Sequence, residues 1–159
     1  MSIRPANLDD AQKIAKIIAL SNRDVANEFG INQDNNPKHP SFYDESWFFS
    51  DFERGEEYFV YEINGEVVGC VAYEQARAEV AYLNRLSVSP QYRNNGIGNK
   101  LTQHIFQYGK SKGATTVSIG IIAKHTKLKE WYVKLGFIEN GLKEFSHIPF
   151  DVLFMKYEI

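Results

Sequence analysis

The stretch Leu86-Ser87-Val88-Ser89-Pro90-Gln91-Tyr92-Arg93-Asn94-Asn95-Gly96-Ile97-Gly98 holds residue types that can seat an anion. An apolar, strand-like run stops at Pro90, a polar loop follows, and two glycines introduce a helix-period pattern. Such a loop leaves backbone N–H groups unpaired, and the start of the helix adds the positive end of its dipole. Gly96 and Gly98 lack a Cβ, so a ligand can approach the main chain there. A bound phosphate is the first ligand this pattern predicts. It is not the dinucleotide fingerprint, which needs a third glycine, nor the Walker loop, which needs Gly-Lys-Ser/Thr. Read alone, the stretch is also compatible with an ordinary strand–turn–helix whose glycines serve only the turn.

Charge is unevenly spread around this loop. From Gln91 to Lys134 eight basic residues face a single acid, Glu130, whereas from Arg23 to Glu57 nine acids face three bases, in a chain of net charge −2. The basic half suits a polyphosphate and the acidic half a cation such as an amine, because polarised fields steer ligands of opposite charge. Segregated solvated helix faces are the plainer alternative for the acidic half. The near-neutral total gives no reason to expect nucleic-acid binding.

The elements that must hold the loop can be read on either side of it. Val80 to Val88 carries apolar residues on both faces, which predicts an interior strand. Ile97, Leu101, Ile105 and Tyr108 mark one face of a helix that Gly113 stops. Upstream, Ile3 and Arg4 predict a short edge strand closed by Pro5, and Asn7 caps a helix to about Phe29. A polar loop from Gly30 to Ser41 leads to a helix from Asp44 to Arg54. Tyr58–Ile63 and Val67–Tyr73 flank the hairpin signal Asn64-Gly65. Thr115–Ile122 is a β-branched strand, Thr126 caps a helix to Leu135 stopped by Gly136, and strands open at Phe137 and Val152. The predicted order is βααβββαβαββ.

The 159 residues predict one domain, 1–159, and the 43% hydrophobic content argues against disorder. The single cysteine, Cys70, excludes an internal disulfide and fits a reduced, cytoplasmic setting. No apolar run is long enough for a transmembrane helix, no signal-peptide pattern opens the chain, and no membrane partner is expected. His39, His104, His125 and His147 show no metal-ligand spacing, so no metal is expected. His104 falls on the apolar face of its helix, and Cys70 lies in an apolar strand as an inert thiol. Tyr43, Trp47, Phe48, Phe49 and Phe52 read as core, with Tyr43 or Trp47 able to line a pocket.

Two motifs in order carry a resemblance. The Leu86–Gly98 stretch resembles the acyl-CoA motif of the GCN5-related N-acetyltransferase (GNAT) family, Gln/Arg-x-x-Gly-x-Gly/Ala. Glu130-Trp131-Tyr132-Val133-Lys134-Leu135-Gly136-Phe137 resembles that family's later Tyr-x-x-x-Gly-Phe motif. The resemblance is strongest from about Tyr58 to Ile138, and the order of elements is similar too. It implies an α/β (α+β) fold with a mixed central sheet of about six to seven strands and about four flanking helices. Two parallel strands, Val80–Val88 and Thr115–Ile122, would splay apart and hold acetyl-CoA, the co-substrate.

The same resemblance implies roles for particular residues. Backbone groups of Leu86, Ser87 and Val88 would face the pantetheine arm, with Leu86 and Val88 bonding it like an added strand. Arg93, Asn94, Asn95, Gly96, Ile97 and Gly98 would hold the pyrophosphate, helped by Lys100 and Lys127. The Val88 N–H would stabilise the oxyanion, and Tyr132 would be the general acid for the thiolate. Without the resemblance, Tyr132 reads as packing beside the stripe Leu128, Trp131 and Leu135. Many family members carry a cofactor-contacting Asn seven residues before this tyrosine; here His125 stands there. The family's base is often a glutamate on the strand before the loop, yet no acid lies between Val80 and Val88. Glu74 and Glu79 are the nearest, and the base stays unassigned. The segment from Phe145 to Phe150 borders the acceptor site in this reading. The function implied is acetyl transfer from acetyl-CoA to a primary amine, with a cationic acceptor favoured by the acidic half. A non-catalytic acyl-CoA-binding sensor or interaction module is the alternative, and a homodimer is compatible with either.

Overall fold

The structure is a computed structural model that describes residues 2–159. Its elements are β1 (Ser2–Pro5), α1 (Ala11–Glu28), α2 (Glu45–Glu53), β2 (Glu57–Ile63), β3 (Glu66–Arg77), β4 (Val80–Val88), α3 (Ile97–Ser111), β5 (Thr116–Ile122), α4 (Thr126–Leu135), β6 (Ile138–Lys143) and β7 (Val152–Glu158). This is the order expected from the sequence. Short 3₁₀ turns at Leu8–Asp10, Pro40–Phe42 and Pro90–Tyr92 complete it.

Local chemistry explains most boundaries. Asn7 and Asp10 form a reciprocal capping box, and Arg4 holds the Asp10 carboxylate at 2.8 Å, so the chain enters α1 through one 3₁₀ turn. The Asn64-Gly65 turn joins β2 to β3 with both residues at positive φ, 50° and 79°, as a tight hairpin requires. Thr126 is the first helical residue of α4 rather than its cap. His125 holds the cap position with no side-chain bond, and the turn out of β5 engages the His125 N–H with Ile122 O and the Thr126 N–H with Lys124 O.

One seven-stranded sheet runs in the order β1-β2-β3-β4-β5-β7-β6. Successive residues alternate between its faces. Val60, Cys70 and Ala72 pack against Ile14 and Ile18 of α1 and Phe48 of α2. Val71, Tyr73 and Val117 pack on the other side against Leu101 and Ile105 of α3.

The middle of the sheet opens. β4 and β5 are parallel neighbours, but their pairing runs only from Val80↔Thr116 to Tyr82↔Ser118. Beyond that point β4 remains on β3 as far as Gly69↔Val88, and β5 remains on β7 as far as Ile122↔Val152. A cause lies within β4. The register passes from Ala72↔Asn84 to Cys70↔Ser87, so β4 spends one residue more than β3. Arg85, at φ 58°, takes up that extra residue, and a bulge of this kind bends and twists its strand.

Candidate active site

The opening between β4 and β5 leads into two adjoining cavities. The first, about 330 Å³, is walled by Leu86, Ser87, Val88, the Tyr92–Gly98 loop, Asn99, Leu128 and Trp131, Asn95 excepted. Its distinctive surface is main chain. Among the described residues, none of the backbone N–H groups from Asn94 to Asn99 donates to a protein acceptor. Asn94 and Gly96 both adopt positive φ, 65° and 76°, and Gly96 caps α3 without a side-chain bond. The result is a concave run of N–H donors at a helix start, the arrangement that receives phosphate. Asn95 works from behind: its amide donates to Tyr92 O at 3.1 Å and Arg93 O at 3.2 Å, pinning the loop.

The two glycines serve different ends. A Cβ on Gly96 would meet no atom within 4 Å, so its need for glycine is conformational. A Cβ on Gly98 would lie 3.2 Å from the Trp131 ring. Gly98 therefore lets Trp131 of α4 close over the start of α3.

Along β4 the main chain faces both ways in turn. The Ser89 N–H bonds Val68 O at 2.8 Å, just outside the Gly69–Val88 pair. Val88 is thus in the non-hydrogen-bonded register, and its own N–H points away from β3 into the opening. Its carbonyl accepts from Ser21 Oγ at 2.9 Å. The Ser87 hydroxyl is buried with no hydrogen-bond partner, on the wall shared by both cavities.

The second cavity, about 520 Å³, lies deeper between the splayed strands, and its walls include Glu56, Glu74, Asn84, Arg85, Leu86, Ser87, Gly120, Leu128 and Tyr132. Tyr132 is 5% exposed, its ring set edge-on to Trp131 and Phe137. Burial alone raises its pKa, so the phenol stays protonated at neutral pH. Gly136 fixes this helix end: at φ 108° it turns the chain so that Phe137 packs under Tyr132, and a Cβ there would stand 2.7 Å from the Tyr157 ring. Opposite, the Asn84 amide donates to Glu56 Oε1 at 2.8 Å and Glu74 Oε1 at 3.0 Å. Burial foremost, then the nearby Asp51 and Glu74 carboxylates, outweigh the Asn84 bond and push the Glu56 carboxyl up to about 7. Arg85 lies over Tyr43 and Trp47, its guanidinium 5.3 and 5.6 Å from their rings, and 3.6 Å from Asp51.

Residues 22–137 match the model of the acetyltransferase (GNAT) family. The chain belongs to the GNAT family. It is 32% identical over 101 residues to an uncharacterized N-acetyltransferase of Methanocaldococcus jannaschii, a match covering 58% of this chain and 45% of that protein. The chain thus spans less than half the length of that relative. A Streptococcus mutans protein has the same fold at TM-score 0.80 and 21% identity, with 99% of both chains covered. So has a GNAT family acetyltransferase from Elizabethkingia anophelis with acetyl-CoA bound, at TM-score 0.72 and 16% identity, over 99% of this chain and 97% of that one.

Residues that this GNAT chain offers fit a coenzyme A thioester: a row of free N–H donors for the pyrophosphate, the orphaned Ser87 hydroxyl, and the outward Val88 N–H beside the narrowing cleft. Of the residues singled out in the sequence, Leu86, Ser87, Val88, Arg93, Asn94, Gly96, Ile97 and Gly98 meet around the first cavity and Tyr132 around the second. His125 lines neither; its ring packs 5.6 Å from Phe29, and burial lowers its pKa. Lys100 Nζ turns to the Tyr61 hydroxyl at 3.4 Å. His104 packs as expected, 4.4 Å from the Phe59 ring, but its Nε2 is buried without a partner. Sequence reasoning missed Trp131 as a cavity wall and Asn84 altogether, and it counted Glu56 only as one of nine acids in the Arg23–Glu57 segment. Glu56 follows a glycine just before a strand, and only the fold shows it buried. Among the described residues no cluster of His, Cys, Asp or Glu could hold a metal ion, and no helix is long and apolar enough to cross a membrane.

Proposed function

We propose that this chain moves an acetyl group from acetyl-CoA to a primary amine that enters through the 520 Å³ cavity. The observation that carries this reading is the continuity of the two cavities, with free main-chain donors at one end and Tyr132 at the other. Acetyl-CoA supplies the activated thioester carbonyl; the chain's residues orient it and handle charge. The N–H groups of Asn94 to Asn99 bind the pyrophosphate, and Leu86 and Val88 align the pantetheine arm along the open side of β4. The amine attacks the carbonyl, and the Val88 N–H donates to the oxygen as it becomes negative. Tyr132 gives the departing sulfur a proton and takes one back from the nitrogen, so the phenol is restored.

Glu56 and Glu74 on the far wall support an acceptor that arrives as a cationic ammonium. A thiol-release screen with acetyl-CoA against amino acids, polyamines and peptide N-termini tests the reading. CoA release that depends on both the amine and Tyr132 is expected. Tight acetyl-CoA binding with no amine-dependent release would instead support a non-catalytic acyl-CoA module.

A further inference from the structure

We infer that Glu56 is the group that takes the proton from the acceptor ammonium before it attacks, a role that in this chain comes from the start of β2 and not from β4. The inference rests on the acetyl-transfer reading above. Glu56 is 6% exposed yet lines the same cavity as Tyr132. Its Oε1 accepts from Asn84 Nδ2, while its Oε2 finds no donor within hydrogen-bond distance, with the Arg54 guanidinium at 3.6 Å and the Asp51 carboxylate also close. A buried carboxylate left short of donors costs free energy, and an ammonium in the cavity that Glu56 lines would supply one.

The main chain holds the carboxylate in place. Glu56 N–H donates to Asp51 O at 3.0 Å, tying the residue to the end of α2 immediately before β2. The charged groups that face it come from three directions: Asp51 and Arg54 from the α2 end, Glu74 from β3 and Arg85 from β4. Asn84 is the hinge of this set, because one amide nitrogen donates to both Glu56 and Glu74. An acid poised near neutrality can accept a proton at working pH and release it again.

The proton count closes. The ammonium gives its first proton to Glu56, which passes it to water through the cavity mouth. The nitrogen attacks and loses a second proton when the amide forms. Through Tyr132, that second proton is matched by the one gained by sulfur. One amide, one CoA thiol and one released proton result.

The test compares two primary amines with acetyl-CoA: butylamine, protonated at neutral pH, and 2,2,2-trifluoroethylamine, a weak base already free there. In wild-type protein kcat/KM for butylamine should rise with pH through an acid limb near the Glu56 value of about 7. Glu56→Gln should remove the levelling-off above about 7, leaving a continuous rise that follows free butylamine, and lower kcat/KM for butylamine by about 10²–10⁴-fold at neutral pH. It should cost trifluoroethylamine less than about tenfold and leave acetyl-CoA affinity unchanged. Equal losses for the two amines, or an inflection near 7 that survives in Glu56→Gln, would overturn the assignment. Glu74→Gln gives an independent reading: removing that facing charge should shift the limb to lower pH, and an unmoved limb counts against Glu56. Wild-type turnover with an unimpaired Glu56→Gln protein would discard Glu56 alone. Absence of CoA release from wild-type protein with either amine would discard the transfer reading together with it.

Discussion

The cavity under α3 presents mainly backbone donors, whereas its neighbour between β4 and β5 presents side chains delivered by β3, β4, α4 and the α2–β2 junction. The first depends on conformation. Positive φ at Asn94 and Gly96 shapes the run of N–H groups, and the Asn95 side chain turns back onto the loop. The second depends on identity. It presents a phenol, two carboxyls and an amide, each held by a different element. The first cavity should therefore respond to backbone changes, and the second to changes of a few atoms.

The sharpest test of that contrast removes one oxygen. Tyr132→Phe should lower kcat by about 10²–10⁴-fold, the usual loss of a positioned acid. Acetyl-CoA affinity, measured by calorimetry, should hardly move. Equal kcat in variant and parent would return Tyr132 to packing and dissolve the distinction between the cavities.

Next is Gly96→Val, which adds no clash with protein atoms but demands a left-handed β-branched residue. Strain of about 1–3 kcal/mol is expected. Read out as cofactor binding, that is roughly a five- to hundredfold weaker Kd for acetyl-CoA. Unchanged affinity in a folded variant would show that the loop does not seat the pyrophosphate.

Stability should distinguish the two regions as well. In the folded protein Glu56 ionises only near pH 7, against about 4.3 for a free glutamate. The folded state therefore binds the extra proton between these values, and stability falls as pH rises across that window. Above it the cost is complete; below it there is none. Thermal melts of Glu56→Gln should exceed wild type most clearly at pH 8 and converge with it near pH 4. A constant difference across that range would mean that the carboxyl is not held near neutrality.

The smallest effect concerns salt. Of the nine acids between Arg23 and Glu57, Glu56 alone lines the cavity beside Tyr132. Asp51 is engaged by Arg54 and Tyr58, Glu57 by Tyr108, and Asp44 caps α2. Raising ionic strength to physiological levels should reduce kcat/KM for a cationic amine by less than about tenfold, because the other acids lie outside this cavity and act on the amine only through solvent. A steeper dependence would restore the acidic segment as a guiding field.

These particulars also show what the sequence made legible. The loop from Leu86 to Gly98 could be read because its chemistry is local: proline, glycines and a helix period sit side by side. The order of elements followed from period and punctuation for the same reason. The acceptor side could not be read this way. Glu56, Glu74 and Asn84 are brought together by the β2–β3–β4 register, and Asn84 neighbours its partners only because β4 pairs with β3 at Ala72 and Glu74. The bulge at Arg85 was equally hidden, since a non-glycine residue at positive φ has no sequence mark.

Packing Trp131 against Gly98 has an optical consequence. The chain has two tryptophans: Trp131 walls the first cavity, and Trp47 lines a pocket with Arg54 and Arg85 that adjoins the second. Each cavity thus has its own intrinsic fluorophore. In Trp47→Phe protein the tryptophan emission would come from Trp131 alone, and in Trp131→Phe protein from Trp47 alone, so stopped-flow quenching in the two variants would follow the two cavities separately without any label.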